Sequence, residues 1–173
     1  MIFLGVLLAF TALGLDQPRV PHIRTAEAAY EAGKQAQIEK QRQRAAESFL
    51  KAIEIEPTFL EARESLIAVY LDSGQRLDAA AAITQLLEIE PNEKKYRLLL
   101  GQILLEQKQP GKALAQFSLV LKREPNDADG LLGFAAAARQ VGMKDRANAA
   151  MERGRQHYPG DDRFKSPPAG AQP

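Results

Sequence analysis

The sequence predicts an all-α solenoid of about four helix–turn–helix units leaning on one another. Two observations carry this expectation. Prolines recur every 34 residues, at Pro57, Pro91, Pro125 and Pro159, and three of them follow a glutamate (Glu56, Glu90, Glu124). Apolar residues of matched size also hold fixed offsets from those prolines. Twelve residues before each stand Ala45, Ala79, Ala113 and Ala147, and eight before stand Phe49, Ile83, Phe117 and Met151. Alanine lets two helix backbones approach, and the larger side chain fills the space beside it. One such unit cannot bury its apolar face alone, so stacking must supply the core.

The composition agrees with a non-catalytic globular protein. The chain has 173 residues, a net charge of +1 and 45% hydrophobic residues. That is long enough to bury a core. Near-zero net charge gives no basic surplus for nucleic acid. The absence of cysteine removes disulfides, Cys-ligated zinc and thiol catalysis. Only His22 and His157 are present, leaving little for a histidine-built site.

The N-terminal stretch Ile2–Leu15 carries no charge. As a helix it would reach about 21 Å, short of a bilayer core of about 30 Å. Residues 1–15 therefore read as a secretory signal or an N-terminal membrane anchor, although no Lys or Arg precedes the apolar run. Either reading places the folded part outside the cytoplasm, periplasmic or secreted, or tethered to a membrane. Residues 16–25 contain two prolines and read as a linker.

The first repeat spans 26–57, with Thr25 as its helix cap. Its turn region, EKQRQR, has no glycine, and its internal boundary is not set by the sequence. The second, 58–91, opens with Thr58 and Glu61 at capping-box spacing and turns at Ser73-Gly74. The third, 92–125, is expected to start at an Asn92 cap and turn at Pro110-Gly111. The fourth, 126–159, is capped by Asn126 or Asp127 and turns at Gly142. Its last helix, Lys144 to His157, is polar enough to close the array by itself. Residues 160–173 (GDDRFKSPPAGAQP) are expected to be a disordered tail.

These residues and their period resemble the tetratricopeptide repeat (TPR) family. The family pattern is a 34-residue helical hairpin with small residues at slots eight and twenty and proline at slot thirty-two. The resemblance covers residues 26–159. It departs at the fourth slot, where the family's common tryptophan is replaced by Ala29, Arg63, Arg97 and Leu131. It implies a right-handed superhelix whose first helices line a concave, partner-binding surface. The groove positions it implies are Tyr30, Glu64, Leu98 and Leu132 at the fifth slot. Lys34, Ala68, Gln102 and Ala136 stand at the ninth, Leu71, Leu105 and Arg139 at the twelfth, and Lys95 at the second.

Lys34 and Lys95 suit the clamp with which some family members grip a terminal carboxylate. Ala68, Ser65 and Leu99 stand where its other polar partners belong, so apolar anchors on a helical or extended segment fit better. The alternative is that Leu98 and Leu105 pack internally. Lys94, Lys95 and Arg97 form a basic cluster that would meet an acidic partner, lipid headgroups or solvent. Charge changes sharply here: residues 58–91 hold two basic and six acidic residues, and 92–125 hold seven basic and three acidic.

No nucleophile elbow, phosphate loop, dinucleotide fingerprint or zinc-protease motif is present. Gly111-Lys112-Ala113 lacks the rest of a phosphate loop and reads as a turn. The expectation is therefore no enzyme, no cofactor and no metal. The function expected is a scaffold that holds a protein or peptide in its groove. Nucleic acid is not an expected partner; membrane contact would come through the N-terminal segment, and an exposed end repeat leaves room for a homo-oligomer. The rival reading is an accessory subunit of an envelope enzyme system, such as cytochrome maturation or polymer export.

Overall fold

The computed structural model describes residues 25–165. The signal or anchor at 1–15 and all of the linker before Thr25 lie outside them. Among the described residues eight α-helices run in order: α1 (Ala26–Ile38), α2 (Arg42–Ile55), α3 (Leu60–Asp72), α4 (Arg76–Ile89), α5 (Lys94–Glu106), α6 (Pro110–Arg123), α7 (Ala128–Gln140) and α8 (Lys144–His157). Each repeat contributes one pair, and each helix packs on its chain neighbours. This is an all-α helical-repeat solenoid.

Size complementarity sets the spacing within pairs. Phe49 lies where a Cβ on Gly33 would come within 2.5 Å of its ring, and Phe117 where a Cβ on Gly101 or Gly133 would come within 2.6 or 2.2 Å. The second repeat exchanges volumes, with Ile67 on the first helix and Ile83 on the second, both fully buried. The buried set is wholly apolar among the described residues.

Three local expectations need correction. The Thr58–Glu61 box does not form, because Phe59 is the N-cap of α3 and no side chain bonds there; likewise Glu93, not Asn92, precedes α5. The guanidinium of Arg63 instead donates through Nε and Nη2 to the Pro57 carbonyl, at 2.8 and 2.6 Å. Arg97 does the same to Pro91, at 2.9 and 2.7 Å. The fourth-slot arginines thus tie each new first helix to the loop before it. Thr25 and Asp127 do cap, accepting from the amides of Ala28 and Gly130.

Pro110-Gly111 is not the turn of the third repeat. Proline needs no amide partner at a helix start, so it opens α6, and Gly111-Lys112-Ala113 lies inside that helix. The left-handed turn residue is Lys108 (φ 56°), and in the first repeat it is Lys40 (φ 59°). Gly74 and Gly142 hold the same place in repeats two and four. The period thus extends to backbone conformation, with lysine bearing the steric cost in half the repeats.

The tail is the third correction. Residues 160–165 are ordered, with a 3₁₀ helix at Asp162–Phe164. Phe164 is fully buried against the Gly154 site, where a Cβ would come within 2.0 Å of its ring. Tyr158 stacks on it at 5.8 Å, and Arg155 donates to its carbonyl. The buried ring, with the Arg155 bond and the pairing of Arg163 with Asp129, holds a segment too polar to form a core of its own. Phe164 follows Gly130 by 34 residues, in the slot held by Ala62 and Tyr96. Among the described residues the array thus runs on into the first turn of a fifth unit, and α8 does not cover its core alone. Residues 166–173 lie outside the described part.

Candidate functional site

The first helices α1, α3, α5 and α7 carry the sequence-predicted groove residues. Their surface half comes from the 3.6-residue repeat, since slots two, five, nine and twelve fall on one side of a helix. At the fifth slot Tyr30 is half-buried, its ring 5.6 Å from Phe49 and 5.1 Å from Phe59. Lys34 sits 5.3 Å over that ring and pairs with Glu31 at 2.9 Å. The hydrogen bond it donates to Glu31 holds the Lys34 ammonium above its ordinary pKa.

The middle of the face is joined by one bond across repeats. The Tyr96 hydroxyl donates to Glu64 at 2.9 Å, and Lys95 lies 4.8 Å over the Tyr96 ring. Burial, and then that bond to Glu64, push the phenol well above its ordinary pKa. Leu71, Leu98, Leu105 and Leu132 are half-buried, each packed on the main core while keeping part of its surface open. They anchor to the interior and keep part of their apolar surface exposed. Ala68 and Gln102 are exposed, and Ala136 is half-buried. Arg139 departs from the set, reaching Asn148 on α8 at 3.3 Å.

The basic cluster after Pro91 does not act as a unit. Lys94 is held by Glu124 and Asp127, Lys95 by the Tyr96 ring, and Arg97 by the Pro91 carbonyl and Gln116. Two residues of this face were not among the expected ones. Tyr96 is buried rather than a groove slot, yet its hydroxyl fixes Glu64. Arg163 pairs with Asp129 at 2.7 Å and with Asp161, extending the second-slot row by one position. The signal for Arg163 was available, because it lies 34 residues after Asp129.

No group of three or more His, Asp or Glu side chains is placed to hold a metal among the described residues. His157 is exposed at the end of α8 and His22 lies outside the described part.

Paired helices on a 34-residue period, with small-against-large packing at fixed slots, define the tetratricopeptide repeat fold, and the chain has that fold. Solved structures agree. A MamA protein matches with a TM-score of 0.69 at 17% identity, over 80% of this chain and 76% of that one. MamA 41-end from Desulfovibrio magneticus RS-1 matches with 0.67 at 17% identity, over 80% and 78%. YrrB, described as a TPR protein with an unusual peptide-binding site, matches with 0.67 at 19% identity, over 80% and 72%. No protein-family model and no curated protein matches the sequence.

Proposed function

We propose that the protein is a non-catalytic scaffold that docks a segment of a partner protein on its first-helix face. The observation that carries this reading is the row of half-buried leucines, Leu71, Leu98, Leu105 and Leu132, held rigid by the core beneath them. Such a row can bury apolar anchors at i, i+3 or i+4 of a helical partner, or alternate side chains of an extended one. Glu64, fixed by Tyr96, and Lys95 beside it supply polar contacts that set register. The peptide-binding description of YrrB supports the same use of this fold.

The test is selection from a random peptide library on the purified chain. Peptides with leucine or aromatic anchors are expected to be enriched. Leu98→Glu combined with Leu132→Glu should weaken them at least tenfold while the helical signal persists. Enriched peptides that bind the double variant equally well would remove this face from consideration.

The location outside the cytoplasm, or at a membrane, is part of the same proposal and rests on the apolar run Ile2–Leu15. Among the described residues no helix is long and apolar enough to cross a membrane. Mass spectrometry of the mature N-terminus separates the cases. Cleavage near Gly14 fits export, an intact run in the membrane fraction fits tethering, and an intact run in the soluble cytoplasmic fraction contradicts both.

A further inference from the structure

We propose that the second-helix face of repeats three and four is a separate docking surface for a short acidic protein segment bearing one bulky apolar side chain. The grooves between successive second helices are repeated features of the fold, but they differ in chemistry. The groove between α6 and α8 encloses about 390 Å³. Its floor is apolar, from Leu121, Leu131 and Phe134, and its rim is cationic, from Lys122, Arg146 and Arg153. The groove between α4 and α6 has the same construction, yet Lys112 is its one cation and glutamines line much of the rest.

Lys122 also borders a second hollow across α6, of about 310 Å³, with Arg97, Arg123 and the exposed Leu119. Five cations therefore surround one helix that contains no acidic residue (PGKALAQFSLVLKR). The nearby carboxylates are spent elsewhere: Glu124 on Lys94 and Glu152 on Arg155. Asp145 remains as the single carboxylate of α8 outside those pairs. Arg146 lies 5.2 Å over the Phe134 ring, which holds its charge at the rim, and Arg153 is braced by Asn126 at 2.8 Å.

The charge pattern selects the occupant. A long polyanion or a bilayer would extend past this patch onto α4, where Asp78 and Glu88 outnumber Arg76. A segment confined to the groove avoids that repulsion. The groove follows helices of 14 residues, about 21 Å long, which accommodates roughly six extended residues. Cations at the rim bind its carboxylates, and the apolar floor takes its one large side chain.

The test uses a fluorescent hexapeptide, Glu-Glu-Phe-Glu-Asp-Glu, and the purified chain, read by anisotropy. Saturable binding that weakens with added salt is expected. Lys122→Glu with Arg153→Glu should weaken it at least tenfold. Ala149→Phe fills the groove without altering charge and should weaken it about fivefold, as should replacing the probe's phenylalanine with serine. Leu98→Glu, on the opposite face, should leave it unchanged, which separates this surface from the first-helix site. Absence of saturable binding, equal binding to both groove variants, or displacement of the probe by anionic phospholipid vesicles would overturn the proposal.

Discussion

In the first repeat, Phe49 packs with Ala36, Ala45, Leu66 and Val69 in a cluster of its own, while Ala29, Ala52 and Ala62 make a second, smaller one. In the third, Phe117 belongs to a cluster that runs unbroken from Ile67 to Phe164. The two phenylalanines occupy the same slot and both are fully buried. They differ in what lies beyond them. Phe117 is flanked by glycines of two repeats, and Phe49 by one. The outer face of α1 presents Ala28, Glu31 and Gln35 to water, whereas Phe164 covers the core at the C-terminal end of the described residues. A shared slot therefore fixes geometry, and the neighbouring repeats decide how far its energy is shared.

The largest expected effect lies at the shared position. Phe117→Ala should cost about 3–5 kcal/mol, and thermal melting should show the loss spread over repeats two to four. Phe49→Ala removes the same side chain. Its damage should stay within α1–α3, which supply its cluster, read as hydrogen exchange that speeds up there and remains slow in α5–α8. Equal spreading in both variants would break the contrast.

Phe164→Ala should cost about 3 kcal/mol as a buried aromatic truncation, and limited proteolysis should then cut near Gly160. Gly154→Ala places a methyl against the same ring and should cost about 1–3 kcal/mol. No change in either would mean that the C-terminal turn does not seal the array.

Lys40→Gly and Lys108→Gly should each stabilise by about 1 kcal/mol, because glycine accepts the left-handed turn that lysine strains to adopt. Chemical denaturation would show the midpoint rising. The smallest effects are titrations. Asp161 is held below its ordinary pKa by hydrogen bonds from Arg163. Its carboxylate thus stabilises the folded turn above that ordinary value, and the contribution fades as pH falls through the lowered one. Tyr96 shifts the other way: the unfolded phenol ionises first, so its stabilising share is lost above about pH 10. Tyr96→Phe should flatten the alkaline limb of a stability–pH curve.

The period, the paired helices and the packing slots were legible because they are repeated. Ala45, Ala79, Ala113 and Ala147 answer the same steric demand four times, and all four are fully buried. Single features were harder to read. Phe164 sits in a polar, proline-rich tail, and only counting one slot beyond Pro159 identifies it. Lys40 and Lys108 hide a left-handed turn because lysine carries no turn signal; their alignment with Gly74 and Gly142 carries it. For the candidate site, the slots supply the expected residues of the first-helix face, but not the bond from Tyr96 to Glu64. That bond depends on side chains from different repeats meeting in space.

A partner docked as proposed anchors on the leucines of the first-helix face. Methyl NMR on the leucine-labelled chain, titrated with a library-selected peptide, tests it directly. Shifts at Leu71, Leu98, Leu105 and Leu132, with Leu50, Leu77 and Leu119 unmoved, are predicted. Shifts confined to Leu119 and Leu121 on the opposite face would contradict it.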